Sequence, residues 1–390
     1  MELRSGINND TLRCRNRGLV LKLLAADGPL TRVELARRTQ LSKMSVSNII
    51  AEFLDQGIAE EREPLAVQGQ GRNPIVVDLS PRAPKLIGLY IFRDQCAAVL
   101  CDLRLHTLRE ARSPLAGDTT IRLTETLFRL IDQVLPPPGD TILGIGVGSI
   151  GPLDLRNGLI LTPPNFFNIH DLPIVRLLKE RYHLPVELNG QYDCAALAEK
   201  YFGAARAFQD FLFVGINSGI GSGIVSGGEL LRTAAGFTSE LGHTSIDWRG
   251  TPCSCGNRGC LETYAGIQVI LPRLRALTGQ DLSFQDFCRM AEADPASPVW
   301  PVLEEMTRAL GYALTSAVNL LDPQAILIGH DGHFLPDRCL TALEEQIERQ
   351  RLASDRTRVQ ILRSAFGRDA QIRGCACGFL HRVFTGEFFS

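Results

Sequence analysis

Four residues near the middle of the chain have the types and the spacing of a closed metal site. His243 is followed by Cys253, Cys255 and Cys260, so that the cysteines form a C-x-C-x4-C pattern. One imidazole nitrogen and three thiolates complete the tetrahedral coordination that zinc prefers, and they leave no position open for a catalytic water. The pattern therefore predicts one structural zinc ion per chain.

The alternative for these thiols is that they are simply buried or joined in disulfides. Cys253 and Cys255 lie too close together for an easy mutual bridge, and the N-terminus shows no charged region followed by an apolar stretch, as a secretory signal would. Gly256 and Gly259 favour the tight turns that bring Cys260 back to Cys255. We therefore expect reduced thiols, bound zinc and a cytoplasmic location.

Two acidic residues flank this cluster without being needed as metal ligands. Glu240 precedes the histidine, and Glu262 follows the last cysteine. Carboxylates accept strong, charge-assisted hydrogen bonds from hydroxyl groups. A loop that is fixed by a metal and carries two acids suits recognition of a polyhydroxylated ligand.

The composition indicates a multidomain globular protein with an uneven distribution of charge. The 390 residues suggest two or three domains, and 45% hydrophobic against 22% charged residues can supply several cores. No run approaches the ~20 apolar residues of a membrane span, so we expect no membrane partner. Net charge is −2, yet the first fifty residues hold nine Lys and Arg against four acids. This local excess indicates an N-terminal segment that binds nucleic acid.

The pattern of this basic segment fits a helix-turn-helix. Helices are predicted over 16–26, over 32–38 with Thr31 as N-cap, and from Ser42 to about Leu54. In the third helix the apolar residues recur at i, i+3, i+4 and i+7, so they face inward and leave the polar residues at its start facing out. The inward residues are Val46, Ile49, Ile50 and Phe53.

Two strand-like segments, 58–62 and 74–79, flank a glycine-rich tip at 68–73 and predict a wing. Short polar side chains at the start of a recognition helix reach base edges in the major groove, and a wing residue contacts phosphate or the minor groove. A helical protein-interaction module is the alternative, but the basic charge and the wing together favour a winged helix-turn-helix over residues 1–80. The residues expected to contact DNA are Arg32, Ser42, Lys43, Met44, Ser45, Ser47, Asn48 and Arg72.

From Lys85 onward, short apolar strands alternate with helical stretches. Strands are predicted at 86–91, 97–102, 142–148 and 211–216. Such alternation favours α/β lobes with sheet cores. We expect a first lobe at 81–190, joined by the C-terminal segment 374–390, and a second lobe with the metal site at 191–373.

Several segments, taken in order, resemble the ROK family and in particular its transcriptional regulators, in which a winged helix precedes a sugar-kinase-like body. The most specific is the zinc signature at 240–243 and 253–262. The resemblance implies an α/β fold with an N-terminal winged helix-turn-helix and a two-lobed actin-like (ribonuclease H-like) body. The other matching segments are 16–17, 41–47, 146–154, 164–166, 219–223 and 319–323, the last of them at the start of the final strand.

The resemblance also implies a set of sugar-binding residues. His243 would offer one ring nitrogen to zinc and the other to the ligand or a backbone group, which would couple the two. For Glu240 the alternative is a residue that only orients His243, and for Asn165 it is an ordinary turn residue after two prolines. The set is Asn165, Gln191, Glu240, His243 and Glu262.

The chain departs from the family's kinases at two places. Where the first phosphate loop should lie, Tyr90 and Phe92 are too bulky for backbone amides to approach a phosphate. The family's Asn-Asp pair falls on Gly190 and Gln191, and an amide cannot accept the proton of a sugar hydroxyl. Asp193 is expected to be a poor substitute, because at a helix start it would face roughly 200° away from Gln191. We therefore predict no catalytic residues.

These inferences predict a sugar-responsive transcriptional repressor rather than an enzyme. Its effector would be a sugar or sugar phosphate bound between the lobes, and its operator a palindromic double-stranded DNA site read by a two-fold dimer. The resemblance implies a homodimer or homotetramer with its dimerisation surface on the second lobe. The alternative is an ATP-dependent sugar kinase with an accessory DNA-binding head, which the glycine loop at 219–223 favours. A purely structural zinc protein would leave the wing and the acids unexplained.

Overall fold

The computed structural model describes residues 9–63, 75–115, 119–163, 166, 169–232, 238–352 and 358–387. Within this part of the chain, a small helical head with a three-stranded sheet precedes two five-stranded sheets that are covered by helices. The mixed α/β class predicted from the sequence is confirmed.

The head is built from three helices and a small antiparallel sheet of strand order β1-β3-β2. Thr31 and Glu34 form a reciprocal capping box at the start of the second helix, and the Ser42 hydroxyl accepts a hydrogen bond from the backbone of Ser45 at the start of the third. The predicted inward face of the third helix is buried in the head core. The elements are α1 (Asn9–Asp27), β1 (Leu30–Thr31), α2 (Arg32–Thr39), α3 (Lys43–Asp55), β2 (Ala59–Arg62) and β3 (Val76–Leu79).

The next segment of the chain forms the first large sheet, whose strand order is β10-β7-β4-β5-β6. The strands β4, β5 and β6 are antiparallel, whereas β7 and β10 run parallel to β4. The central strands are continuous runs of buried residues, as expected for a sheet covered on both faces. The elements are β4 (Lys85–Ile91), β5 (Gln95–Cys101), β6 (Thr107–Pro114), α4 (Thr120–Val134), β7 (Ile142–Ser149), β8 (Leu153–Asp154), β9 (Leu159–Ile160), α5 (Ile174–Tyr182) and β10 (Val186–Gly190).

The second large sheet has the strand order β13-β12-β11-β14-β15 and is made mostly by the C-terminal half of the chain. Its helices form a separate hydrophobic core with Leu303, Leu314 and Phe287 among the buried residues. The elements are α6 (Gln191–Phe202), β11 (Phe211–Ile216), β12 (Ile220–Ser226), β13 (Glu229–Leu230), α7 (Glu262–Ala265), α8 (Ile267–Thr278), α9 (Phe284–Ala293), α10 (Trp300–Leu321), β14 (Ala325–His330), α11 (Asp337–Gln350), β15 (Gln360–Arg363) and α12 (Ala370–Phe384).

One expectation about this region is wrong. The segment 319–323 was predicted to begin the final strand, but α10 continues through Leu321 and ends at Asp322, which adopts a left-handed conformation. Strand β14 starts only at Ala325, and β15 follows it later in the chain. The buried face of α10, which reaches Val318 in the second core, keeps the chain helical through Leu321.

The last helix, α12, joins the parts of the molecule. It packs against β4, β7 and β10 of the first sheet, against α6, and against α1 of the head. The contacts are close because glycines face it: a Cβ on Gly88 would lie 2.8 Å from the backbone nitrogen of Ala376, and one on Gly18 would lie 2.7 Å from the carbonyl oxygen of Val383. Helix α12 therefore contacts both the head and α6.

Candidate functional site

The four predicted metal ligands come together in the loop region between β13 and α7. The ligand atoms of His243, Cys253, Cys255 and Cys260 all lie within 4.8 Å of one another. The Cys255 and Cys260 sulfurs are 3.7 Å apart, close to the ~3.8 Å edge of a tetrahedron with zinc–sulfur bonds. The cluster could hold a metal ion.

Local hydrogen bonds and two glycines shape this loop. The backbone nitrogen of Cys253 donates to the carbonyl of Asn257 at 2.8 Å, which closes a tight turn. Gly256 and Gly259 have φ values of +92° and +66°, a region that favours glycine over residues with a Cβ. These turns return the chain to the metal cluster within a few residues.

Glu262 lies against the metal cluster, whereas Glu240 lies farther along the adjoining cleft. The Glu262 carboxylate oxygen Oε1 is 3.3 Å from the sulfur of Cys253 and 3.6 Å from Nδ1 of His243. The Glu240 carboxylate accepts a 3.1 Å hydrogen bond from the hydroxyl of Thr238, and burial raises its pKa. Both acids are thus placed to contact a ligand in the cleft.

The cleft is a cavity of about 220 Å³ near the ends of β7, β10 and β11. Clefts beside the carboxyl ends of parallel strands are common binding sites in α/β proteins. Gln191, Glu240, His243 and Glu262 of the predicted sugar-binding set line this cavity together. Asn165, the fifth member of the set, lies outside the described residues.

Gln191 is held by a residue from the first sheet. The Tyr90 hydroxyl donates a 3.1 Å hydrogen bond to Oε1 of Gln191, and both side chains are buried. Tyr90 is in β4, where the resemblance places the first phosphate loop, and Gln191 is at the position of the family's aspartate. The two departures that the sequence shows separately are therefore in direct contact.

Sequence reasoning did not identify Tyr192, whose ring packs on the glycine loop of the second sheet. Cβ atoms added to Gly215 or Gly221 would overlap carbon atoms of the Tyr192 ring. The Tyr192 hydroxyl donates a 3.3 Å hydrogen bond to Asn217, which also lines the cleft. Its position directly after Gln191 was the signal available in the sequence.

Asp193 was expected to face away from Gln191, and this expectation is wrong. Asp193 lines the same cavity as Gln191. It occupies the third position of α6, and its carboxylate accepts a hydrogen bond from the Gly190 backbone, so the side chain turns back over the helix end. Burial raises the pKa of Asp193 to about 7; nearby Arg232 lowers it and Glu240 raises it.

The head presents the start of α3 to solvent. Its first residues therefore form an accessible polar surface beside the exposed side chain of Met44. The predicted DNA contacts divide into the exposed Ser42, Lys43, Met44 and Asn48, and the half-buried Arg32, Ser45 and Ser47.

Three of these predicted contacts have partners within the head. The Ser42 and Ser45 hydroxyls lie 2.9 Å apart at the start of α3. Arg32 forms a 2.8 Å ion pair with Glu61 of β2, so it also ties the second helix to the wing strand. Arg72 lies outside the described residues, between β2 and β3.

Comparison with known proteins agrees with this architecture. The ROK family profile matches residues 86–381, and a profile described as winged helix-turn-helix DNA-binding matches residues 15–60. The DNA-binding transcriptional dual regulator NagC of Escherichia coli is 30% identical over 92% of this chain and 90% of its own length. The xylose repressor of Bacillus subtilis is 28% identical over 92% of this chain and 93% of its own length.

Two solved structures match different shares of the chain, one almost all of it and the other three quarters of it. A ROK family transcriptional regulator, a homologue of the E. coli MLC protein, superposes with a TM-score of 0.79 at 26% identity and covers 97% of this chain and 98% of its own. The ROK hexokinase from Thermus thermophilus has a TM-score of 0.62 at 28% identity and covers 75% of this chain and 97% of its own. The body therefore resembles a sugar kinase, whereas the whole chain resembles a regulator. None of the helices described is long and apolar enough to cross a membrane.

Proposed function

The chain belongs to the ROK family, and from this premise we propose that it is a sugar-responsive DNA-binding transcriptional repressor. Its kinase-like body binds a sugar or sugar phosphate without phosphorylating it. The observation that carries the proposal is the combination, in one chain, of a winged helix-turn-helix and a cleft with Gln191 at the family's catalytic position. Relatives that are repressors or transcriptional regulators over almost the whole chain support it.

The DNA-reading element is α3. Its N-terminal end exposes Lys43 and Asn48, and an asparagine amide can form two hydrogen bonds with an adenine edge in the major groove. Lys43 suits a phosphate contact, which holds the helix on the duplex without reading sequence. Arg72 is placed between the two wing strands, so we propose that it contacts the backbone or minor groove.

The effector lies in the cleft between the two large sheets. Glu240 and Glu262 supply acceptors for hydroxyl groups, and Gln191 supplies an amide held by Tyr90. We include Asn165 in this set from the family resemblance. The xylose repressor of Bacillus subtilis, a relative that is named after a sugar, supports a sugar as the class of effector.

Phosphoryl transfer is opposed by the side chains in the cleft. Gln191 cannot accept the hydroxyl proton, and its amide oxygen is already engaged by Tyr90. The ring of Tyr192 lies against Gly221 of the second glycine loop, where a phosphate would need close approach to the backbone. Although the Asp193 carboxylate also lines the cleft, the tyrosines near the two glycine loops favour a sensor over the alternative, an ATP-dependent kinase with an accessory head.

The metal is zinc, and its role is structural. Three thiols and one imidazole nitrogen match the ligand preference of zinc, and a closed set of four leaves no site for a bound water. Nδ1 of His243 lies 3.7 Å from the Cys253 sulfur and is the nitrogen that faces the cluster. Zinc bound here would fix the loop that carries His243 and Glu262 into the cleft.

Helices α6 and α12 offer a route from the cleft to the head. Gln191 is the first residue of α6, which packs along α12, and the end of α12 contacts α1 through Gly18. A cleft of about 1280 Å³ also lies between α1 and residues of α6 and α12. Ligand binding shifts such an equilibrium only by its differential affinity, typically ~1–3 kcal/mol.

The cell compartment and the assembly complete the proposal. We propose a cytoplasmic homodimer or homotetramer, formed through the second lobe, that reads a palindromic operator because its two heads are related by two-fold symmetry. The proposed domains are a head at 1–80, a first lobe at 81–190 with 374–390, and a second lobe at 191–373. Free cysteines along the described chain suit a reducing compartment.

One experiment separates the sensor from the kinase. The zinc-loaded protein is titrated calorimetrically with free and phosphorylated sugars, and each mixture is assayed for ATP turnover. An operator fragment selected from random-sequence DNA then reports whether the bound sugar changes DNA affinity. Sugar binding without turnover, with altered DNA affinity, is the expected result, whereas sugar-dependent ADP formation would establish the kinase.

A further inference from the structure

The residue at position 190, which lines the cleft, departs from the family pattern. The family pattern places an asparagine there, but this chain has Gly190. A Cβ on residue 190 would overlap the methyl group of Thr238 and lie 3.0 Å from carboxylate oxygen Oδ2 of Asp193. The space beside residue 190 is therefore taken by Thr238 and by the Asp193 carboxylate.

Asp193 is held in this place by its position in α6. It is the third residue of the helix, and its carboxylate accepts a hydrogen bond from the Gly190 backbone. Arg232 and Glu240 are the charged groups that act on it. One backbone hydrogen bond leaves further acceptor positions on the two oxygens, because a carboxylate can accept about four.

Asn217 supplies a second, independent sign that the cleft is built for a polar ligand. It is 2% exposed and lines the cavity, and its amide oxygen accepts hydrogen bonds from Tyr192 and from the Gly219 backbone. Its amide nitrogen has no hydrogen-bond partner among the residues that the structure describes. A buried amide nitrogen without a partner is costly, and a ligand oxygen would satisfy it.

The charges that line the cavity distinguish between classes of sugar. Asp193, Glu240 and Glu262 supply three carboxylates, whereas Arg93 is the one arginine or lysine among the described lining residues. A phosphate group carries about −1.5 to −2 charges near pH 7, so the ionised fraction of these carboxylates would repel it. The volume of about 220 Å³ also lies below the usual range for drug-sized ligands and suits a single sugar ring.

We infer that Asp193 is a ligand-contacting residue and that the cleft takes an unphosphorylated monosaccharide. The Asp193 carboxylate accepts a hydrogen bond from a sugar hydroxyl in the cavity that it lines, and the Asn217 nitrogen donates to a second sugar oxygen. This inference rests on the proposed sugar-sensing function, and it narrows the effector to one of the two classes proposed there.

The alternative role for Asp193 is to cap α6 and nothing more. Asp193→Asn tests this, because the amide oxygen can still accept from the Gly190 backbone while the charge is lost. Asp193→Glu keeps the charge but lengthens the side chain by one methylene group. Asp140→Asn is the matched control, since Asp140 is an exposed residue of the loop before β7.

The probes are D-xylose, D-glucose and N-acetyl-D-glucosamine, with the 6-phosphates of the last two, titrated into the zinc-loaded full-length protein. We expect at least one unphosphorylated sugar to bind, and any paired 6-phosphate to bind at least about tenfold more weakly. We expect Asp193→Asn and Asp193→Glu to lower that affinity about tenfold or more. The unfolding midpoint of both variants should stay close to that of the native protein. The control Asp140→Asn should bind the sugar with nearly native affinity.

The outcomes separate this inference from the proposed function. Tight binding of a 6-phosphate would overturn the assigned sugar class while leaving a sugar sensor in place. Native sugar affinity in Asp193→Asn would overturn the role of Asp193. Failure of the native protein to bind any of the five probes would count against the proposed function itself, and with it this inference.

Discussion

The hydroxyl of Tyr90 donates a 3.1 Å hydrogen bond to Oε1 of Gln191, which joins strand β4 to the first residue of α6. The contact links the two positions at which the chain departs from the family's kinases. Tyr90 lies where the kinases have a glycine-rich phosphate loop. Its hydroxyl donates to the amide oxygen of Gln191, which lies at the position of the catalytic aspartate. Replacing Tyr90 by glycine would therefore remove the hydrogen-bond donor that holds the Gln191 amide oxygen.

The first prediction concerns catalysis. We expect Gln191→Asp to show no sugar-dependent ATP turnover, because Tyr90 and Tyr192 still occupy the space near the two glycine loops. The measurement is ADP release in a coupled assay with the bound sugar. The Tyr90→Gly/Gln191→Asp double variant is the comparison, and turnover in Gln191→Asp alone would show that the tyrosines do not block phosphoryl transfer.

The second prediction concerns the metal. We expect one zinc ion per chain by elemental analysis, and a loss of metal in Cys253→Ser and Cys255→Ser because each removes a thiolate ligand. Sugar affinity should fall with the metal, since His243 and Glu262 lie in the same loop region as the cleft. Cys288→Ala is the control, because Cys288 is a buried cysteine of the second core that is not one of the four clustered ligands. Native zinc content in both serine variants would refute the ligand set.

The third prediction concerns DNA recognition. We expect Asn48→Ala to weaken operator binding by about 1–3 kcal/mol and to relax preference at particular bases. Lys43→Ala should weaken binding about equally for all sequences and reduce the salt slope by about one. Fluorescence anisotropy with operator and scrambled DNA measures both, with Arg289→Ala on the exposed face of α9 as the control. If both head variants lost only non-specific affinity, α3 would not be the reader.

The fourth prediction concerns pH. The pKa of Asp193 is raised to about 7, and a sugar hydroxyl donates better to the ionised carboxylate, so ligand binding should favour loss of the proton. Sugar affinity is then highest above pH 7 and falls by about tenfold between pH 8 and pH 6. Burial of Asp193 sets this window, while nearby Arg232 lowers the pKa and Glu240 raises it. In Asp193→Asn the pH dependence should flatten, with zinc content checked at each pH because acid protonates the metal ligands.

The fifth prediction concerns communication between cleft and head. A Cβ on Gly18 would press on the carbonyl oxygens of Val383 and Phe384, which are backbone atoms and cannot move aside easily. Gly18→Ala should therefore loosen the head from α12 and reduce the effect of sugar on DNA affinity, while operator binding without sugar persists. Leu12→Ala on the exposed side of the same helix is the control. An undiminished sugar response in Gly18→Ala would place the coupling route elsewhere.

The sequence by itself determined the features that depend on short stretches of chain. The metal cluster could be recognised because its four ligands fall within eighteen residues, and two glycines at positive φ close the turns between them. The buried face of α3 followed from helical periodicity, and the fold class followed from the order of several motifs along the chain. In each case neighbouring residues carry most of the information.

Only the tertiary structure decided which side chains meet in and around the cleft. Tyr90 and Gln191 are separated by 101 positions, and they meet because β4 and β10 lie in one sheet whose strand ends converge on the start of α6. The helical angle placed Asp193 on the far side of α6, but its side chain turns back towards the Gly190 backbone at the start of the helix and so lines the cleft. Tyr192 covers a glycine loop of the other sheet. Such contacts depend on how separate elements are packed together, which the spacing of residues along one element does not reveal.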